Sequence, residues 1–158
     1  MSALLTQTLK VVSGLSPVTT NGAKNARYIS LKNARRVIVV AEMKQDAGHE
    51  TTMSITLRPL VASGSTATMT ATMPVWRNVN VDDGDGLTRL TDAANVSCND
   101  QTDDQILVME IIPARLPADY TALRAALESS SQAGNFASIT YLIETFYPQE
   151  TPPTVVTD

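Results

Sequence analysis

The sequence predicts an all-β chain: an antiparallel β-sandwich, jelly-roll-like, with about eight strands. Three observations point there. The stretch Thr66 to Met73 reads TATMTATM, with Thr on every even position and Ala or Met on every odd one. That is the period of a strand with one hydroxyl face and one apolar face, and Thr is a better strand former than helix former. Val37, Ile38, Val39 and Val40 form an uninterrupted β-branched run, which fits a strand covered on both faces. Turn residues return about every ten positions between apolar segments, the spacing of an all-β domain.

Taken in order, Thr8 to Val12 is a first short strand, ended by Ser13 and Gly14. Leu15 to Ala26 holds Pro17, Asn21 and Gly22 and is expected to be a loop or an extended arm. Arg27 to Leu31 alternates loosely as a short edge strand, and Asn33 and Ala34 make a turn. Arg35 to Lys44 is the buried strand. Gln45 to His49, with Asp46 and Gly48, is expected to be a hairpin turn. The return strand, Thr51 to Arg58, directs Met53, Ile55 and Leu57 inward and is stopped by Pro59 or marked as an edge by it. Ser63-Gly64-Ser65 then turns into the Thr-Ala-Met strand, completing a three-strand antiparallel meander.

Asn78 to Gly86 is an acidic loop, Leu87 to Leu90 a short strand, and Val96 to Asp104 an acidic connection. Ile106 to Ile112 is a strongly apolar strand closed by Pro113. Tyr120 to Leu127 fits a helix, through its Ala content and Leu spacing, while a strand from Tyr120 to Ala126 could pair with strong neighbours. Strand is the preferred reading. Ser129 to Asn135 is a turn and Phe136 to Tyr147 the last strand. Residues 1–147 thus form one domain, and 148–158, rich in Pro and Thr, an extended and mobile tail.

Of the 158 residues, 43% are hydrophobic and only 18% charged, so Thr, Ser, Asn and Gln must cover much of the surface. Such a surface resists association less than a charged one and favours a protein that ends up packed against a partner. The net charge of −4 argues against nucleic-acid binding. A single cysteine, Cys98, precludes an intrachain disulfide and favours synthesis in a reducing compartment. The N-terminal segment lacks a basic stretch followed by a long apolar run, so no signal peptide is expected. No apolar run approaches the roughly 20 residues of a membrane span.

Chemistry-bearing residues are sparse. The Asp82-Asp83-Gly84-Asp85-Gly86 loop offers carboxylates but not the spacing of a calcium loop, so a solvated turn is the better reading. His49, the only histidine, has no nucleophile or orienting partner nearby and is expected in a surface turn. Cys98 has no second ligand at metal spacing, and acids such as Asp100 would raise its pKa. No glycine-rich phosphate loop occurs. Trp76 is either a core or rim anchor or, beside Arg77, an interface hot spot. Basic residues group early (Lys24, Arg27, Lys32, Arg35, Arg36) and acids later (Asp82, Asp83, Asp85, Asp92, Asp100, Asp103, Asp104). Segregation of this kind can steer one surface onto another, though it also fits ordinary solvated charge.

The segments LKVVSG (Leu9–Gly14), ARYISLKN (Ala26–Asn33), SITLRP (Ser54–Pro59), VWRNVN (Val75–Asn80) and NFASITYLIE (Asn135–Glu144) resemble those of capsid decoration, or cement, proteins of tailed bacteriophages. The resemblance implies a jelly-roll sandwich with no cofactor and no enzymatic role. It also implies synthesis in the host cytoplasm and many copies on the outside of a capsid. The expected partners are the major capsid protein and further copies of the chain, as a trimer on local threefold positions or, second, a dimer. Arg27, Lys32, Arg35, Arg36 and Trp76 are the expected interface residues; no nucleic acid or membrane is expected. The other class considered is a carbohydrate- or receptor-binding head-fibre or tail module, since jelly rolls also serve as lectin folds. Against it, only 4% of the chain is aromatic.

Overall fold

In the computed structural model, residues 5–147 and 156–157 are described. A single helical turn, α1 (Leu5–Thr8), leads into β1 (Leu9–Thr19), β2 (Lys24–Asn25), β3 (Tyr28–Ser30), β4 (Ala34–Lys44), β5 (Ser54–Val61) and β6 (Val75–Asn78). Then follow β7 (Thr88–Arg89), β8 (Asn95–Ser97), β9 (Gln105–Ile111), a 3-10 turn (Pro113–Arg115), β10 (Tyr120–Leu127), β11 (Phe136–Thr145) and β12 (Val156–Thr157). One six-stranded sheet runs β1-β11-β4-β9-β6-β7, and a second runs β12-β3-β10-β5-β8, with β2 also paired to β10. Every strand pairing is antiparallel. Through β1, β3, β4, β5, β6, β8, β9, β10 and β11 the chain changes sheet at every step. The runs β1-β11-β4-β9 and β3-β10-β5-β8 are jelly-roll order, with β6 and β7 added beyond β9. The predicted antiparallel sandwich is the observed one.

The core lies between the sheets and is filled by alternate residues of each strand. Val37, Val39, Ala41 and Met43 of β4 meet Ile55 and Leu57 of β5, Leu107, Met109 and Ile111 of β9, and Leu123, Ala125 and Leu127 of β10. Ile139, Tyr141 and Ile143 of β11 complete it. The segment Tyr120 to Ala126 is a strand, one residue longer than expected, because β5 pairs with β10 along its length to Leu127. Leu123, Ala125 and Leu127 then fall on one face with a period of two, which a helix would have dispersed.

Several expectations are corrected. TATMTATM alternates as predicted, with Met69 and Met73 buried and Thr66, Thr68, Thr70 and Thr72 exposed, yet it joins no sheet beyond bridges at Thr66 and Met73. It crosses from the second sheet to the first with its methionines dipped into the core. There is no meander either: β4 and β5 lie in different sheets, and Gln45 to Met53 connects the sheets instead of closing a hairpin. Alternation reports which face is buried; it does not name the hydrogen-bonding partner. Pro59 does not end β5: β8 pairs only with Ser54 to Thr56, and on that side the Pro59 carbonyl accepts the Ala67 N–H at 2.8 Å, a contact that needs no N–H from proline.

Leu15 to Ala26 is not a free arm. β1 continues to Thr19 along β11, with register shifts between Ser13 and Leu15 and between Leu15 and Val18 that absorb Gly14 and Pro17. Thr20 is fully buried beyond it, its N–H donating to the Asn135 carbonyl at 2.8 Å. Val96 and Ser97, expected in a connection, belong to β8. In the C-terminal tail, Val156 and Thr157 pair with β3; the rest of residues 148–158 lies outside the described residues. Finally, β4 is buried on one face only: Ile38 and Val40 are half-exposed, and Arg36, Glu42 and Lys44 are exposed.

Candidate interaction surface

That last correction locates the surface of interest. Residues directly opposite in antiparallel strands project from the same face. The registers therefore lay out the solvent side of the first sheet in rows: Val11, Leu142, Ile38 and Glu110, then Ser13, Thr140, Val40, Val108 and Trp76, then Ser138, Glu42 and Ile106. A solvent face should be polar. Here Ile38, Val40, Ile106, Val108, Leu142 and Trp76 are all half-exposed and contiguous, and Val11 at the edge is 69% exposed. Contiguous apolar area of this kind makes the outer face of the first sheet the candidate contact surface.

Ion pairs frame it. At one end Arg36 bridges two strands, Nη1 to Glu110 Oε1 at 3.1 Å and Nη2 to Glu144 Oε2 at 2.9 Å, while Arg35 Nη1 reaches Glu144 Oε1 at 3.2 Å. The hydrogen bonds that Arg36 donates to Glu110 and then to Glu144 push its pKa up. At the other end Lys44 Nζ pairs with Asp104 Oδ1 at 3.1 Å beside Glu42. Pro17, Val81, Ile106 and Phe136, the last 46% exposed, wall a shallow cavity of about 310 Å³ there. An apolar centre with a polar, charged rim is the anatomy of a protein interface.

Trp76 lies in the patch, and its ring is covered by Arg89, whose guanidinium carbon is 4.9 Å from the ring centroid. Arg89 is held in turn by an ion pair to Asp92. Sequence reasoning looked to adjacent Arg77, but Arg77 Nη1 donates to the Ser97 carbonyl at 3.2 Å. Arg35, Arg36 and Trp76 thus share one sheet. Arg27 and Lys32 do not: Arg27 precedes β3, where its carbonyl accepts a hydrogen bond from the Tyr141 hydroxyl at 3.2 Å. Lys32 borders a groove of about 730 Å³ with Leu31, Leu60, Leu116, Tyr120 and Phe146. The basic stretch of the sequence is therefore dispersed over the molecule. Ile38, Val40, Val108, Ile106 and Leu142 were missed as surface residues, and a run such as VIVV contains no signal separating two buried faces from one.

The remaining candidates are quiet. His49 is an exposed turn residue with Nδ1 3.3 Å from Asp46 Oδ2. The acidic loop is shaped by asparagines: Asn78 Nδ2 donates to the Gly84 carbonyl at 2.6 Å, and the Asp83 N–H donates to Asn80 Oδ1 at 3.2 Å. Cys98 is buried, and burial is the main force pushing its pKa up, with Asp100 a minor contributor. Its sulfur accepts the Met53 N–H at 3.2 Å, an internal bond of the core.

No family model matches the chain, and no curated protein matches its sequence. Among solved structures, it is similar to the SPBc2 prophage-derived protein YomS, with a TM-score of 0.49 and 7% identity over 86% of this chain and 93% of that one. A structure described as "CBM4 structure and function" has a TM-score of 0.34 and 13% identity over 89% of this chain and 71% of the other. A turnip yellow mosaic virus chain has a TM-score of 0.23 and 10% identity over 96% of this chain and 98% of its own. A prophage-derived protein thus stands among the structural neighbours, and at this level of likeness neither an activity nor a partner passes from any of them to this chain.

Proposed function

We propose that this chain is a structural protein of a tailed-bacteriophage virion, a decoration protein that docks on the outer surface of the capsid through the outer face of the first sheet. The observation that carries the reading is the contiguous apolar patch from Val11 to Trp76 with its ion-paired ends. A protein that binds the assembled shell better than its free subunits stabilises the shell by mass action. The low charge fraction and hydroxyl-rich surface suit a molecule that spends its life against neighbours. The partner in this reading is the major capsid protein, contacted by copies arranged as trimers or, second, dimers. No catalytic role, cofactor, nucleic acid or membrane enters it.

Carbohydrate binding is the weaker alternative. A sugar platform needs an open aromatic face, and Arg89 already covers one face of Trp76.

Cosedimentation with capsids stripped of the protein tests the reading. Val11→Asp and Val108→Asp place a charge in the patch, and Asn95→Asp, on the exposed side of the second sheet, is the control. The expected result is binding weakened by roughly tenfold or more in the first two and unchanged in the control. Equal binding by all three, with melting temperatures near wild type, would contradict the reading.

A further inference from the structure

On the outer face of the second sheet, Arg58 of β5 stands directly opposite Arg124 of β10. Opposed residues of antiparallel strands project side by side, and like charges in that position repel. Both line an open cavity of about 360 Å³ with Lys24, Thr56, Thr66 and Glu128. Neutral groups hold the two guanidiniums in place. Arg58 Nη1 donates to Thr68 Oγ1 at 3.0 Å, and Arg124 lies over the Tyr28 ring, 4.7 Å from its centroid. Tyr28 is itself fixed by a 2.6 Å hydrogen bond between its hydroxyl and that of Thr66.

Among the described residues, nothing neutralises this pair. Among the described residues neither Arg58, Arg124 nor Lys24 takes part in an ion pair, and Glu128, at the rim, forms none with them. The Nε–H of Arg124 is shut off from solvent and has no acceptor. A desolvated donor without a partner is destabilising, and it is rare enough in folded proteins to ask for an explanation. An oxyanion seated between the arginines would convert a repulsive pair into a clamp, using the fork geometry that suits guanidinium to carboxylate and phosphate, and a turn of the Arg124 side chain toward it would open the enclosed Nε–H to an acceptor.

We propose that Arg58 and Arg124, with Lys24 at the mouth, form an oxyanion-binding site for a carboxylate or phosphate group. The site lies on the sheet opposite the apolar patch and does not depend on that patch docking anywhere. The test is a thermal titration of the purified protein with sodium acetate and with inorganic phosphate, at ionic strength held constant with sodium chloride. Wild type should gain melting temperature saturably with at least one of them. The larger gain with acetate assigns a carboxylate, as on an acidic side chain; the larger gain with phosphate assigns a phosphoryl group. Arg58→Gln and Arg124→Gln should each abolish the saturable gain, while melting no lower than wild type in chloride alone because the repulsion is relieved. In parallel, the Arg124 Nε–H resonance of the unaltered protein should shift along the same titration. Gains no larger than in chloride, or a motionless Nε–H resonance, or an undiminished gain in folded Arg58→Gln, would overturn the proposal.

Discussion

Tyr141 ties the two sheets together at the level of a single side chain. It is fully buried in β11, its hydroxyl accepts the Ala125 N–H of β10 at 2.8 Å and donates to the Arg27 carbonyl at 3.2 Å. Gly14 of β1 lies against its ring so closely that a Cβ there would come within 2.5 Å of it. Nothing in the sequence joins positions 14, 27, 125 and 141, since the contact exists only once the sheets are stacked. Arg27, read from sequence as an interface charge, serves this tie through its backbone. Burial pushes the Tyr141 pKa from 10.0 up to about 12, with the Ala125 hydrogen bond and Arg124 opposing. A raised folded-state pKa gives stability that is complete below about pH 10 and is lost as pH rises through about 12. The loss is on the order of 2–3 kcal/mol. Melting curves across that alkaline range should show it in wild type and show a flatter profile in Tyr141→Phe. The variant should also be less stable at neutral pH by about 1–3 kcal/mol, through the Ala125 N–H left without its acceptor. Equal alkaline slopes would refute the assignment.

At the scale of elements, what was legible and what was not divide along one line. Side-chain period is a local property, so β4, β9 and β11 could be placed to within a residue or two, and the in-and-out alternation of Thr66 to Met73 is correct at every position, whereas β10, whose period also fits a helix, was decided by its neighbours. Pairing is a long-range property. β4 is flanked by β11 and β9, which come much later in the chain, so a local reading joined it to β5 instead. The same limit hid the apolar patch, which arises only when the outer residues of β1, β11, β4, β9 and β6 are set in register. The Thr66 to Met73 segment offers a direct check of alternation without a ladder. Met69→Ala and Met73→Ala should each cost about 2–5 kcal/mol, as buried truncations do, while Thr70→Ala stays within about 0.5 kcal/mol. Amide exchange at Met69 and Thr70 should be fast beside that of Val39 and Ala41 in the centre of β4. Slow exchange there would mean a strand partner that the fold does not contain.

For the whole molecule, the jelly roll supplies two outer faces with different chemistry. The first sheet presents aliphatic side chains and Trp76 between ion pairs that close within the chain, so its charge is largely spent internally. Exposed pairs of this sort contribute little to stability, under about 1 kcal/mol each. The second sheet presents uncompensated arginines. The proposed docking surface and the proposed oxyanion site thus lie on opposite sheets. A decoration role is a matter of abundance and place, so quantitative mass spectrometry of purified virions of a phage encoding this chain tests the proposal most directly. The expected result is this chain in a fixed, high ratio to the major capsid protein, and its loss from particles carrying Val108→Asp. A few copies per particle, or none, would contradict it.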